Sequence, residues 1–156
     1  MDRRALSPSP AADVDTVSAR SDAPAPRKPL RILLADPDRE LRRLVALVLR
    51  RDGHYVVEAA DGSELLEAIA TIVIDGARPF DLIVSAQTIP GISGVSVLTG
   101  LRSRGHRTPF VLMTGNPIVQ AQAKRLGAIV LDRPFDAAAI RSAVERADVR
   151  ETEGNA

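Results

Sequence analysis

Four apolar runs of this chain lead into residues that can do chemistry. Leu30 to Ala35 runs into Asp36-Pro37-Asp38, and Leu82 to Ala86 is followed by Gln87. Phe110 to Thr114 ends in a hydroxyl, and Ile129 to Leu131 runs into Asp132-Arg133-Pro134-Phe135. Carboxylates in such places can hold Mg²⁺, which takes hard oxygen ligands in octahedral array, usually including one or two carboxylates. A carboxylate can also attack phosphorus to form an acyl phosphate. Pro37 supplies no ligand between the two acids. Asp38 is read as the cap of the following helix, which makes it a doubtful ligand. Asp36 is then the one carboxylate left, and a single carboxylate binds Mg²⁺ poorly. No cofactor is expected, with Mg²⁺ binding weak or absent. Ser85 has a hydroxyl, but the alternation of a strand turns it away from the face of Ala86. Gln87 is not a nucleophile.

The other candidates are weaker. His54 and His106 follow Gly53 and Gly105, with no cysteine and no cluster of acids beside them. They read as solvated turn residues rather than metal or catalytic groups. Arg102, Arg104 and Arg107 gather at the end of a helical stretch. There the helix macrodipole favours cations, so they read as a solvated terminus.

Composition narrows the function classes. The chain has 156 residues, 45% of them apolar, enough for one domain with a core. It has no cysteine, which excludes disulfides and thiolate metal sites. It carries 21 basic and 20 acidic residues, a net charge of +1, so no strong overall field draws nucleic acid or anionic lipid. Arginine outnumbers lysine 19 to 2. No apolar run reaches the roughly 18 residues of a membrane span, and the N-terminus does not resemble a secretory signal. The expected location is cytoplasmic, with no membrane partner.

Residues 1–29 are rich in Pro, Ala and Ser and are expected to be a disordered tail. A domain is expected over 30–148, with a frayed C-terminus at 149–156. Within it strand and helix patterns alternate five times. Leu30 to Ala35 reads as a strand covered on both faces. Asp38 caps a helix over Arg39 to Arg51, with Leu41, Leu44, Val45 and Val48 as its buried stripe, and Gly53 stops it. Tyr55 to Ala59 is a strand. Asp61-Gly62-Ser63 opens a helix containing Leu65, Leu66, Ile69 and Ile72, ending near Asp75-Gly76. Leu82 to Ala86 is the third strand, and a helix follows from about Ser93 to Arg104. Phe110 to Thr114 is the fourth strand. Asn116-Pro117 opens a helix ending near Leu126-Gly127. Ile129 to Leu131 is the fifth strand, and Asp136 caps a last helix with Ile140 and Val144 inward. This pattern implies a single doubly wound α/β domain. Its five-stranded parallel sheet has order 2-1-3-4-5, flanked by five helices, in a flavodoxin-like fold whose site lies at the carboxyl ends of the strands. The acidic Asp36-Pro37-Asp38 is unlike the glycine-rich phosphate loop of nucleotide-binding relatives.

From Phe80 to Gly94 the sequence reads Phe-Asp-Leu-Ile-Val-Ser-Ala-Gln-Thr-Ile-Pro-Gly-Ile-Ser-Gly. With Asp36, Thr114-Gly115 and Arg133-Pro134-Phe135, it resembles the receiver domains of bacterial two-component response regulators over residues 30 to about 148. The resemblance implies a phospho-acceptor aspartate four residues before Pro90, where this chain has Ala86. It implies a second acid where Pro37 stands, and an aromatic residue where Val130 stands. It implies that Thr114 contacts the phosphoryl group and that a lysine, here Arg133, pairs with it. It makes Pro134 a candidate cis proline. Without an anion in the site, Arg133 is expected to turn its fork to Asp36. The expected function is a stand-alone, atypical receiver that is not an enzyme and acts by protein–protein contact. Its partner would be a histidine kinase, another regulator or an output enzyme, with no direct contact to nucleic acid. The partner face, also a possible homodimer face, is expected on the fourth helix, fifth strand and fifth helix, at Ile118, Gln122, Arg125, Ala137, Arg141 and Glu145. Two alternatives stay open: a receiver phosphorylated on Asp38 or Asp132, and a flavodoxin-like binder of a small ligand.

Overall fold

The structure, a computed structural model, describes residues 28–75 and 79–155. The expected disordered tail lies outside the described residues except for Lys28 and Pro29. In chain order the elements are β1 (Arg31–Ala35), α1 (Arg39–Arg51), β2 (Tyr55–Ala59), α2 (Gly62–Asp75), β3 (Leu82–Ala86), β4 (Thr88–Ile89) and β5 (Ile92–Ser93). They continue with α3 (Gly94–Ser103), β6 (Phe110–Met113), α4 (Pro117–Arg125), β7 (Ile129–Leu131) and α5 (Ala137–Asn155). Five strands form one parallel sheet in the order β2-β1-β3-β6-β7. This is the expected order, with the β4–β5 hairpin inserted in the numbering.

The strand sequences explain the layering. Ile32, Leu33, Leu34, Val84, Val111 and Leu112 are all fully buried, as a parallel sheet covered by helices on both faces requires. Edge strand β2 instead alternates, with Tyr55 and Val57 exposed. Short polar side chains start the helices. Asp38 accepts from the backbone N–H of Glu40 and Leu41, both at 3.1 Å. Asn116 accepts from Ile118 and Val119, with Pro117 in the first turn. Asp136 accepts from Ala139 at 2.9 Å. The turn glycines Gly53 and Gly105 take φ of 95° and 83°, where a Cβ would be strained.

One expectation needs correction. The buried stripe of α1 is centred on Val45, Ala46 and Leu49, with Leu41 and Val48 packed beside it. Leu44 is 57% exposed. Several registers of a leucine-rich helix satisfy the same spacing rule, and packing selects the one that buries Leu49. At the C-terminus, α5 continues through Asn155, beyond the expected boundary at 148. The segment from Val149 to Glu153 contains good helix formers and no Pro or Gly before Gly154. In α2, Leu65 is fully buried and Ile69 half-buried, while Leu66 is exposed. Ile72 lies outside the residues whose side chains are described, and Gly76 outside the described residues. Among the described residues no helix is long and apolar enough to cross a membrane.

Candidate functional site

β1 and β3 pair in register from Ile32–Leu82 to Ala35–Ser85, so Asp36 and Ala86 follow side by side at the carboxyl edge. β3 pairs with β6 up to Ala86–Met113, and β6 with β7 up to Met113–Leu131. This sheet edge therefore gathers Asp36, Ala86, Thr114 and the Asp132-Arg133 segment.

Asp36 is 2% exposed and fully engaged. Its Oδ1 accepts from the backbone N–H of Asp38 at 2.9 Å. Its Oδ2 accepts from Arg133 Nη2 at 3.1 Å, the expected ion pair. Arg42 Nη1 donates to the Asp36 carbonyl at 2.8 Å, fixing the backbone below it. Burying a carboxylate is costly unless it is paired and hydrogen-bonded, and here both oxygens are. The Arg133–Pro134 peptide is cis, as expected for Pro134, and the Arg133 guanidinium also lies 5.8 Å from the Phe135 ring centre.

Ala86 is 3% exposed, so its methyl is part of the core. The Ser85 hydroxyl donates to the Ala86 carbonyl at 2.8 Å. A Cβ at Gly94 would lie 3.1 Å from that same hydroxyl, which places Ser85 toward α3. Thr114 is buried, and its hydroxyl accepts from the Asn116 N–H at 3.1 Å. Asp132 is exposed, and its Oδ1 accepts from the N–H of Arg133 at 3.0 Å. Asp38 is exposed at the start of α1, where the hydrogen bonds to its carboxylate are those of a helix cap.

A Mg²⁺ site usually draws on one or two free carboxylates, with waters completing the octahedron. The one buried carboxylate here already serves Asp38 N–H and Arg133, while Pro37 and Ala86 offer no ligand side chain. Among the described residues no group of three or more His, Asp or Glu side chains is placed to hold a metal.

Several supporting residues were missed by sequence reading. Gln87 Oε1 accepts from Val95 N–H at 2.9 Å, so this non-nucleophile anchors the start of α3. Gln120 Nε2 donates to the Thr114 carbonyl at 2.8 Å. His54 is half-buried rather than solvated, because its Nδ1 accepts from the Leu30 N–H at 3.0 Å across the chain. Burial holds its pKa below the usual imidazole value, against the opposing pull of Asp52 and Asp148. His106 is exposed, as expected. Arg102 is also half-buried: its Nε donates to Leu126 O at 2.8 Å and its Nη1 to His106 O at 2.9 Å.

Of the residues expected on a partner face, Ile118 is 79% exposed, and Gln122, Arg125, Ala137, Arg141 and Glu145 are exposed as well. Arg141 lies toward α1, where its Nε donates to Asp52 at 2.9 Å. Between α4 and α5 an open groove of about 260 Å³ runs over Val130, walled by Gln120, Lys124 and Arg146.

Known proteins share this fold. The family model of the response regulator receiver domain matches residues 32–145. Sporulation initiation phosphotransferase F of Bacillus subtilis is 29% identical over 119 residues, which span 74% of this chain and 91% of that protein. The transcriptional regulatory protein FixJ of Azorhizobium caulinodans is 33% identical over 120 residues, and there the chain spans only 53% of the relative's length. Among solved structures, the chemotaxis response regulator CheY4 of Vibrio cholerae superposes with a TM-score of 0.65 at 26% identity, covering 77% of this chain and 99% of that one. The family-model match over residues 32–145, most of the chain, establishes that this chain belongs to the response regulator receiver domain family of two-component signalling.

Proposed function

We propose that this receiver domain does not accept a phosphoryl group at the end of β3 and signals by protein–protein contact alone. One observation carries the reading: the position at the end of β3, beside Asp36, is the buried methyl of Ala86. Transfer to a receiver needs a carboxylate oxygen in line with the donor phosphorus, and a methyl group has no lone pair to offer. The Arg133–Asp36 pair supports the same reading, since it uses the charges that a cation and a phosphoryl group would otherwise engage. Asp38 and Asp132 are poor substitutes. One is bonded to the first turn of α1 and the other to the Arg133 N–H.

In this reading the domain takes no cofactor. Its contacts would be made by α4, β7 and α5, where Ile118 and the groove over Val130 are open. A histidine kinase, a second regulator or an output enzyme would recognise one conformation of the domain rather than a phosphorylated form. The test is a ¹⁵N-resolved NMR titration with Mg²⁺ and beryllofluoride, a mimic of the aspartyl phosphate. Unmoved amide signals around Asp36, Ala86 and Thr114 are expected. Saturable shifts at those amides would overturn the reading.

A further inference from the structure

From Leu82 to Leu131 the chain contains five cationic side chains and no carboxylate. They are Arg102, Arg104, Arg107, Lys124 and Arg125. With a net charge of only +1 for the whole chain, the remainder is net negative. Arg102 links the two stretches of chain that carry them. Arg102 joins the C-terminal ends of α3 and α4, with its Nε on the Leu126 carbonyl at 2.8 Å and its Nη1 on the His106 carbonyl at 2.9 Å. Burial, and then the like charge of Arg107, hold Arg102 below the usual guanidinium range, as expected where cations crowd. Arg104, Arg107, Lys124 and Arg125 are exposed around this joint.

Elsewhere arginines find acids. Arg42 and Arg50 pair with Glu58, Arg133 with Asp36, and Arg141 with Asp52. Among the described residues none of the five cations of the α3–α4 joint is in an ion pair. The helix macrodipole accounts for one or two cations in a last turn, and is worth only about 0.3–1 kcal/mol each. It does not account for five with no intervening acid.

We infer that the joined C-terminal ends of α3 and α4 form a docking surface for a short acidic segment of a partner protein. Charge complementarity sets the ligand class, and arginine suits carboxylates because its planar fork binds them through two hydrogen bonds. The extent of the patch sets the length. Five cations match a short acidic segment, whereas a long polyanion such as a DNA duplex would extend beyond them. This surface is separate from the site beside β3, so the inference holds whether or not Ala86 ends phosphate chemistry.

The test is fluorescence anisotropy of the full chain with a labelled, glutamate-rich peptide at low salt. The chain is expected to bind it, and binding should weaken as salt rises. Combining Arg104→Glu, Arg107→Glu, Lys124→Glu and Arg125→Glu should weaken it by about tenfold or more. The same four changed to Gln should give a smaller loss, and this set decides the matter if the Glu set loses its circular-dichroism spectrum. Arg39→Glu with Arg43→Glu, on the exposed side of α1, should alter affinity by less than about twofold. No binding at low salt, binding unmoved by the Gln set, or tighter binding to a DNA duplex than to the peptide would each overturn the inference.

Discussion

The Arg133 guanidinium lies 3.1 Å from the Asp36 carboxylate, two residues 97 positions apart that close the carboxyl edge of the sheet from β1 to β7. The carboxylate side chain is 4% exposed and the guanidinium 35%. The acid therefore bears most of the desolvation, and the base keeps contact with water. Removing the base should cost more than an ordinary surface pair. Arg133→Met is expected to destabilise the domain by about 1–3 kcal/mol, below the usual cost of breaking a fully buried pair because the guanidinium is partly solvated. Asp36→Asn in the same background should recover part of that loss. Urea unfolding of the two single variants and the double variant measures the coupling.

His54 gives a pH dependence whose sign is fixed by its hydrogen bond. Nδ1 accepts from Leu30 N–H, so the imidazole must be neutral there. Its folded-state pKa is lowered by burial, so the unfolded chain takes up the proton first as pH falls. The His54 contribution is whole above about 6.5, the unfolded value, and is lost as pH drops from there through the lower folded value. The urea midpoint should therefore fall between about pH 7.5 and pH 5.5, and His54→Gln should flatten that slope. A midpoint that rises on acidification over this range would contradict the assignment.

Gly94 is set by packing rather than by a turn. A Cβ there would lie 2.7 Å from Leu112 Cδ1, against the backbone at the end of β3. Gly94→Ala is expected to destabilise by about 1–3 kcal/mol through overpacking, despite the better helix propensity of alanine. Thermal unfolding followed by circular dichroism reads the loss.

The two leucine sites of α1 should separate cleanly. Leu49→Ala removes a fully buried side chain and should cost about 2–5 kcal/mol, while Leu44→Ala, at 57% exposure, should change stability by less than about 0.5. Comparable losses at both sites would mean that α1 packs in the other register.

Much of this was legible in the sequence because its determinants are local. Asp38, Asn116 and Asp136 stand just before helical patterns, and each accepts backbone N–H bonds from the first turn. The apolar runs of β1 and β3 could only be covered strands. The Asp36–Arg133 pair was accessible because the fold brings the two strand ends together and opposite charges do the rest. What escaped depended on distant partners or on a choice among equivalent registers. His54 meets a backbone N–H 24 residues away, and Arg102 bonds the Leu126 carbonyl at the same separation. Neither carries a local signal. Leu44 and Leu49 both fit a helical stripe, and only packing against the sheet distinguishes them.

The most direct measurement of the central claim is intact mass spectrometry of the full chain after incubation with acetyl phosphate and Mg²⁺, beside the Ala86→Asp variant and a phosphorylatable receiver as positive control. The control is expected to gain one phosphoryl group and the native chain to keep its unmodified mass. A native chain that gains one base-labile phosphoryl group would show that another carboxylate does the chemistry, and would contradict the account.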